Sequence, residues 1–387
     1  MLALLLARRG VSVTLLEAHK DFDRDFRGDT IHPSVLEILD EIGLAALLHE
    51  LPHSKLYGPV IQAANGPFQP FDLRRLKTRY PYILMVPQAR FLEFITAECA
   101  RYPHFHLVMR AAVQQLVEED GMVRGVRYMG PDGLHEVRAT LTVGADGRFS
   151  QVRHLAGIQP IKTSPPMDVL WFRLPRLPND PRESPGAFAG VGRMRILIVL
   201  DRGDYWQAGL VFPKGMYQEL REKGLEEMRR CIVEIAPSFA AHAASLADWR
   251  QFSLLSVESS RCPQWYKPGL LLIGDAAHVM SPVGGVGINY AIQDAVVAAN
   301  VLAGPLLAGS VALTDLKEVQ RQRERPTRII QALQSFAQKR VVATALKSQE
   351  LRVPWFVRLF TRIPVVRDLP ARAVAFGVRR VHVKNSN

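Results

Sequence analysis

An apolar run, a glycine-rich loop and a long helical pattern follow one another directly in the second half of the chain. Leu270 to Ile273 is a continuous apolar stretch bounded by glycines, which predicts a short buried strand. From Ile288 onward the apolar positions recur with the 3.6-residue period of a helix that buries one face. Glycines before this helix let backbone N–H groups approach a bulky ligand. The pattern predicts a strand, an acidic loop at Asp275 and a glycine-rich helix start; a tight turn in an α/β core with Asp275 as a cap is the alternative.

The beginning of the chain shows a second strand-and-helix pattern. LALLLARRG predicts an apolar helix closed by a glycine, and VSVTLLE predicts a strand that ends at Glu17. These are the second half of a βαβ unit. In dinucleotide-binding folds an acid at this strand end holds the ribose hydroxyls, and a glycine-rich turn before the helix holds the pyrophosphate. The acid is present and the turn is not, while an exposed carboxylate that simply ends a strand explains Glu17 equally well.

A third strand end carries another aspartate. Leu141 to Val143 predicts a buried strand that runs into Asp146-Gly147. Turn signals at Glu119-Asp120-Gly121 and Pro131-Asp132-Gly133 predict that residues 106–143 form a small antiparallel meander. We therefore expect two strand ends bearing aspartates to converge.

Residues 168–215 alternate as antiparallel strands do. DVLWFRLPR and RILIVLDRGDYWQAGLVFPKG predict strands, the latter pair joined through Asp201-Arg202-Gly203. Half of the aromatic residues in these strands are expected to face a substrate cavity and half to pack within the sheet: Trp171, Phe172, Tyr205, Trp206 and Phe212. A sheet lined with aromatics suits a planar or lipophilic ligand.

Composition narrows the class of protein. A chain of 387 residues with 48% hydrophobic content predicts two or three globular domains. No run approaches the ~18 to 20 apolar residues of a membrane span, and the start lacks the pattern of a secretory signal, so we expect a cytoplasmic protein. Three widely spaced cysteines indicate neither disulfides nor a metal site. His278 and His32 are interpreted as structural, the latter opening a helix at Pro33.

The basic charge is concentrated at the end of the chain. The net charge is +12, and residues 351–387 contribute +7 of it, from eight basic residues and one acid. No zinc-finger spacing or RNA-binding aromatic motif appears, so nucleic acid is not an expected partner. The tail interleaves arginines with aromatic and aliphatic residues, which predicts either peripheral contact with an anionic membrane or a packed helix with solvated arginines.

Two motifs carry a family resemblance. GADGRFSQVR and IGDAAHVMSPVGGVGINYAIQDA, in that order, resemble the class A flavoprotein monooxygenases, the aromatic-hydroxylase family typified by 4-hydroxybenzoate hydroxylase. The segments DFRGDTIHPSVLEILDEIGL and VPQARFLEFI are also similar to family segments near the flavin, and the resemblance covers most of residues 1–305. The family pattern opens with GxGxxG after a first strand, whereas this sequence opens inside the following helix. We therefore expect Met1 to be an internal methionine, with about 15 residues carrying that strand and loop upstream.

The resemblance implies non-covalent FAD and a set of residues that hold it. Glu17 would hold the adenosine ribose, while Arg27 and Gln88 would lie along the pyrophosphate and flavin with support from Arg90. Asp275 would take the ribityl chain. Asp146 and Gly147 would support both FAD and a transient NAD(P)H. The remaining cofactor-binding residues implied around the flavin are Gly274, Pro282, Gly284, Gly285, Val286, Gly287, Ile288 and Asn289.

The reaction implied by the resemblance is reduction of FAD by NAD(P)H, reaction with O2 to a flavin hydroperoxide, and transfer of one oxygen atom to an aromatic or lipophilic small molecule. The resemblance names no catalytic side chain in this sequence. Two alternatives stay open: a flavin-dependent reductase or halogenase relative, and a non-catalytic remnant that has lost the cofactor.

The predicted fold class is α/β. A Rossmann-like FAD-binding domain, without its first strand and glycine loop, is expected over residues 1–50, 86–158 and 266–305. An antiparallel-sheet substrate domain is expected over 51–85 and 159–265. A helical C-terminal segment is expected over 306–387, beginning with a basic helix near Thr314-Asp315 that is kinked or broken at Pro326.

Overall fold

A computed structural model describes residues 1–23, 29–163, 165–181, 186–192, 194–339, 352–360 and 363–384. Its helices are α1 (Leu2–Ala7), α2 (Pro33–Glu41), α3 (Ala45–His49), α4 (Gln88–Ala100), α5 (Gln151–Leu155), α6 (Tyr217–Glu222), α7 (Gly224–Ile235), α8 (Ala240–Ala243), α9 (Gly287–Leu307), α10 (Leu313–Ala337), α11 (Trp355–Phe360) and α12 (Pro364–Phe376). Its strands are β1 (Val13–Glu17), β2 (Thr30–Ile31), β3 (Ser54–Leu56), β4 (Gly58–Gln62), β5 (Ile83–Met85), β6 (Phe105–Met109), β7 (Ala112–Glu119), β8 (Met122–Gly130), β9 (Gly133–Arg138), β10 (Thr142–Gly144), β11 (Ile161–Thr163), β12 (Met167–Pro175), β13 (Gly186–Gly192), β14 (Arg195–Asp201), β15 (Tyr205–Pro213), β16 (Ser253–Ser256), β17 (Ser259–Arg261), β18 (Tyr266–Lys267), β19 (Leu270–Leu272) and β20 (His278–Val279).

Parallel strand pairs form the part of the molecule that was predicted to bind a dinucleotide. β1 pairs with β6, from Val13 opposite Phe105 to Glu17 opposite Met109, and β10 pairs with β19. Because both strands of the second pair run in the same direction, the loops that carry Asp146 and Asp275 leave the same edge of the sheet. The predicted convergence of these loops is confirmed.

The predicted meander is only partly correct. β7, β8 and β9 are antiparallel neighbours joined at the two predicted turns. β6 does not belong to them, because it pairs in parallel with β1. The alternation of β6 indicates a strand but carries no information about the direction of its partner, so the error was in the pairing.

A six-stranded sheet with the order β16-β12-β15-β14-β13-β4 forms the second large unit. The strands are antiparallel except for the parallel pair of β13 and β4. One face packs against α6, α7 and α8 through buried side chains such as Phe172, Leu210 and Met228. The overall architecture is therefore α/β with an antiparallel-sheet unit and a helical C-terminal segment, while the exact domain limits stay a prediction.

The apolar helix α9 lies in the core, as its period predicted. Among the described helices it alone has the length and hydropathy of a membrane span, but 61% of that apolar window is buried inside the protein. The next helix, α10, continues through Pro326, so the alternative of a break at this residue is wrong. Pro326 is buried, and packing of α10 along α9 compensates for the backbone hydrogen bond that a proline removes.

The C-terminal segment returns to the body of the protein. Ala371, Ala375 and Phe376 of α12 are buried in a cluster with Leu73 and Met85. Polar contacts continue beyond the helix, where Arg380 pairs with Glu37 and the backbone N–H of Val383 donates to Glu41. At least this face of the tail is a packed helix. Of the two interpretations of the basic segment, membrane contact or a packed helix with solvated arginines, this contact matches the packed helix.

Candidate functional site

The loop of residues 282–286 and the first turn of α9 form a surface with few side chains next to β2. Gly285 has a φ of +61°, a left-handed conformation that favours glycine, and its N–H donates to the carbonyl of Pro282 at 3.0 Å. A Cβ added to Gly285 would lie 2.8 Å from the hydroxyl oxygen of Thr30. The Thr30 hydroxyl donates to the carbonyl of Gly285 at 2.8 Å. Only glycine allows this close approach of the loop to β2.

Asn289 fixes the start of α9 against the same strand. Its side-chain oxygen accepts a hydrogen bond from the backbone N–H of His32 at 2.8 Å. Its amide nitrogen donates to the carbonyls of Thr30 at 3.0 Å and Gly285 at 3.2 Å. A buried amide with three such partners is an anchor for the loop, and the sequence analysis had assigned Asn289 only to the cofactor.

Gly274 and Asp275 begin a short turn at the end of β19. Gly274 has a φ of +58°, and a Cβ on it would lie 3.0 Å from the side chain of Ala291 in α9. Asp275 is half-buried in this turn. The turn therefore holds a carboxylate between the carboxyl edge of the parallel strands and the first turns of α9.

Asp294, which the sequence analysis missed, supports this turn from within the core. One carboxylate oxygen accepts from the backbone N–H of Gly274 at 3.0 Å and from Nε2 of His278 at 2.6 Å. The other accepts from Nε of Arg323 at 2.7 Å. Burial raises the pKa of Asp294, but its interactions with His278 and Arg323 together outweigh burial and hold the pKa below its usual value. The predicted structural role of His278 agrees with this contact.

Asp146 makes local contacts at the start of α5. Its carboxylate accepts from the Ser150 hydroxyl and from the backbone N–H of Val152, the latter at 2.9 Å. Gly147 follows it in the turn before Ser150, whose own side chain caps α5. These contacts fit a helix-capping role for Asp146, so its assignment to FAD and NAD(P)H stays a prediction.

The other implied cofactor residues lie at the end of β1 and at the start of α4. Glu17 ends β1 and accepts from the backbone N–H of His19 at 2.9 Å. Gln88 begins α4, and its backbone N–H donates to Asp29 at 3.0 Å. The exposed side chain of Arg90 pairs with Glu93 at 3.1 Å. Arg27 lies outside the described residues.

His32 connects the loop to the C-terminal segment. Its Nδ1 lies 2.7 Å from the carbonyl of Val374 in α12. Burial lowers the pKa of His32 to about 4, against smaller opposing contributions from the carbonyls of Val374 and Gly285. His32 is the N-cap residue of α2, which agrees with its predicted structural role.

The inner face of the six-stranded sheet lies opposite the glycine-rich loop. Trp171, Ile196 and Ile198 on this face pack in one cluster with Val283 of the loop. Gly209 lies across from Trp171, and a Cβ on it would come within 2.7 Å of the indole ring. Phe172, Trp206 and Phe212 pack on the helix side of the sheet, whereas Trp171 faces the loop, and a substrate-facing role for the inner aromatic residues stays a prediction.

Two polar atoms belong to the strands of this inner face. The indole nitrogen of Trp171 and the side-chain oxygen of Gln207 are buried and have no hydrogen-bond partner among the residues that the structure places. Gln207 lies two residues from Gly209 on β15, so both side chains project from the same face of that strand. A buried donor and a buried acceptor without protein partners are suited to a polar group of a ligand.

These features fit FAD. A Cβ added to Gly284 or Gly287 would lie no closer than 3.7 Å to a neighbouring side chain, so these two glycines leave space beside the start of a 21-residue helix. The N-terminus of this helix carries about half a positive charge and favours negative charge on a ligand. Asp275 can accept hydrogen bonds from ribityl hydroxyls beside it. When bound, FAD supplies the redox and oxygen chemistry, while the chain positions the reactants and excludes water. No group of three or more potential metal-binding side chains occurs in the part of the chain that the structure describes.

This arrangement fits a flavin-dependent oxidoreductase, and comparison with known proteins identifies the family. The sequence pattern of the FAD binding domain family matches residues 1–332. The chain is 34% identical over 392 residues to the 6-methylpretetramide 4-monooxygenase of Streptomyces rimosus, covering 99% of this chain and 91% of that protein. It is 32% identical over 286 residues to the 12-dehydrotetracycline 5-monooxygenase/anhydrotetracycline 6-monooxygenase of Streptomyces rimosus subsp. rimosus, covering 69% of this chain and about half, 52%, of that protein.

The fold agrees with a solved structure. The anhydrotetracycline hydroxylase from Streptomyces rimosus superposes with a TM-score of 0.75 at 24% identity, covering 97% of this chain and 72% of that one. The chain thus belongs to the FAD binding domain family. It is an FAD-dependent monooxygenase that uses NAD(P)H and O2 to hydroxylate an aromatic or lipophilic small molecule.

Proposed function

We propose that the substrate is a polycyclic aromatic polyketide bound between the inner face of the six-stranded sheet and the glycine-rich loop. The observation that carries this proposal is the 34% identity, over 99% of the chain, to a protein named 6-methylpretetramide 4-monooxygenase. The second relative is likewise named for tetracycline-type compounds.

The inner sheet face supports a flat, fused-ring substrate. Trp171 and Ile198 offer a broad apolar surface. Gly209 has no side chain that would protrude from this surface, so the surface stays flat. The indole N–H of Trp171 is a donor and Gln207 supplies an acceptor, a combination that matches the carbonyl and hydroxyl groups of a phenolic polyketide. Several fused rings also bury more apolar area than one ring does. Each Å² of apolar area removed from water contributes ~25 cal/mol to binding.

We assign the cofactor to the residues that the family resemblance implied. Asp275 holds the ribityl chain, residues 282 and 284–289 surround the flavin ring, and Glu17 holds the adenosine ribose. This assignment is supported by the glycine conformations beside α9 and by the position of Asp275 at the edge of the parallel strands. The proposed domain limits follow the same division: residues 1–50, 86–158 and 266–305 for FAD, and 51–85 and 159–265 for substrate.

Substrate-stimulated NAD(P)H oxidation tests the proposal. The purified protein, supplied with FAD, is given matched phenols of one, two and four fused rings, and the hydroxylated products are quantified. We expect the specificity constant to rise with ring number and product formation to stay coupled to NAD(P)H consumption. A preference for the single-ring phenol would contradict the proposed substrate class.

We also propose that part of the C-terminal segment contacts an anionic membrane surface. Trp355 and Leu359, four residues apart on α11, are 76% and 51% exposed, and the exposed Arg352 and Arg372 flank them in sequence. In liposome flotation at low salt, binding to anionic vesicles should fall when Trp355 and Leu359 are both replaced by Ser. Equal recovery with neutral and anionic vesicles, or none with either, would contradict the proposal.

A further inference from the structure

We infer that Asp294 is a positioning residue for the cofactor: it sets the Gly274–Asp275 turn in the conformation that receives the ribityl chain. The inference rests on the proposed placement of Asp275 at FAD. Asp294 is fully buried, and no described contact brings it to the glycine-rich loop itself, so it acts through the turn.

The contacts of Asp294 join four separate segments. The carboxylate projects from α9 and accepts from the backbone of Gly274, from His278 in β20 and from Arg323 in α10. The oxygen that holds Gly274 is shared with His278. Gly274 is in a left-handed conformation and lies close to Ala291. The hydrogen bond to Asp294 fixes the direction of its N–H, and this in turn orients the next residue, Asp275.

The same carboxylate also neutralises a buried cation. Arg323 is fully buried, its two terminal nitrogens have no hydrogen-bond partner among the described residues, and its guanidinium lies 5.3 Å from the centre of the Tyr290 ring. Replacing Asp294 alone would leave this charge unpaired and destabilise the whole fold. Loss of FAD from a single variant therefore does not distinguish a positioning role from a structural one.

A pair of neutral double variants separates the two roles. Asp294→Asn with Arg323→Met removes both charges and keeps a carbonyl oxygen that can accept from Gly274. Asp294→Leu with Arg323→Met removes both charges and the acceptor at similar side-chain volume. The measurements are the FAD dissociation constant by flavin fluorescence and the melting temperature without FAD.

We expect the Leu-containing variant to melt below the Asn-containing variant, because it leaves the buried Gly274 N–H without its acceptor. The Asn-containing variant should bind FAD within about threefold of the parent, and the Leu-containing variant about tenfold or more weakly, the scale of one lost hydrogen bond to a polar partner. Equal FAD affinity in the two variants, measured at a temperature at which both are folded, would overturn the inference.

Two further measurements complete the test. Asp275→Ala is measured in parallel: if it binds FAD as the parent does, the proposed placement of FAD fails, whereas loss of FAD there with normal binding by the Leu-containing variant refutes only the role of Asp294. In the parent protein the Gly274 amide should exchange slowly with solvent deuterium. Fast exchange of this amide in the folded protein would refute the hydrogen bond itself, even if neither double variant folds.

Discussion

Asp294 is a fully buried carboxylate and Asp180 is a half-buried one; each accepts a hydrogen bond from a buried histidine, but they occur in different parts of the molecule. Asp294 binds His278 beside the proposed flavin site, and Asp180 binds His242 at 2.9 Å behind the six-stranded sheet. The remaining donors to Asp180 are the indole of Trp206 at 2.7 Å and the backbone of Leu177 at 2.9 Å.

The two carboxylates differ in the segments that donate hydrogen bonds to them. Asp180 closes a loop onto β15 and α8, within the sheet unit alone. Burial raises the pKa of Asp180, but its hydrogen bonds from Trp206 and His242 outweigh burial and lower the pKa to about 2. Asp294 instead pairs with a fully buried arginine and holds the turn before Asp275. Similar carboxylate–histidine chemistry thus serves local packing in one region and the geometry of the site in the other.

The largest expected effect is loss of cofactor from Asp275→Ala. A carboxylate facing ribityl hydroxyls contributes ~1.5 to 3 kcal/mol per charge-assisted hydrogen bond, so this variant should retain no FAD on purification while staying folded. Flavin absorbance per protein chain measures the loss, with Asp180→Ala as the control that keeps its flavin. Flavin content equal to the parent would refute the placement of Asp275.

The single variant Asp294→Asn should reduce the free energy of unfolding by ~3 to 5 kcal/mol, because it leaves the buried charge of Arg323 without its counter-ion. Urea unfolding without FAD gives the value directly. Adding Arg323→Met should recover most of the loss. If the second substitution instead lowers stability further, the cation is not what the carboxylate compensates.

Acid should weaken the site region through His32. Its pKa of about 4 in the folded protein lies below the ordinary value of 6.5, so the unfolded chain takes up the proton more readily. Neutral His32 therefore contributes to the free energy of unfolding in full above pH 6.5. This contribution, up to about 3 kcal/mol, is lost as the pH falls toward 4. When the free energy of unfolding is measured by urea titration across this pH range, it should fall less with decreasing pH for His32→Gln than for the parent. An identical dependence on pH in the two proteins would contradict the assignment.

The smallest effect is expected for Asp180→Asn. The amide of the variant is a weaker acceptor than the carboxylate for the Trp206 indole and the Leu177 backbone N–H, so the free energy of unfolding should fall by ~1 to 3 kcal/mol. The FAD dissociation constant, measured by fluorescence quenching, should stay unchanged. A parallel loss of FAD affinity would remove the contrast between the two carboxylates.

The sequence predicted the elements of the site better than the contacts between them. Periodicity located β19 and α9 because one short apolar run and one 3.6-residue pattern suffice for each. Asp294 was missed, although a single acid within the apolar face of α9 was a usable signal. Its partners His278 and Arg323 lie 16 and 29 residues away, and no local pattern encodes such pairing.

Two other differences have physical causes of the same kind. The strand β6 was predicted, but its parallel pairing with β1 depends on tertiary contacts. A helix break at Pro326 was allowed by local propensity and prevented by packing on α9. The assignment of Asp146 to the cofactor stays a prediction, and the contacts that the structure gives its carboxylate are those of a helix cap at the start of α5.

The most direct test of the account is oxygen transfer to a polycyclic phenol under isotopically labelled O2. The FAD-loaded protein is incubated with NAD(P)H, labelled O2 and a four-ring phenolic polyketide, and the product is analysed by mass spectrometry. The account predicts a hydroxylated product that carries one labelled oxygen atom, formed in proportion to the NAD(P)H consumed. NAD(P)H consumption that yields only hydrogen peroxide with every polycyclic phenol tried, or a product whose new oxygen comes from water, would contradict it.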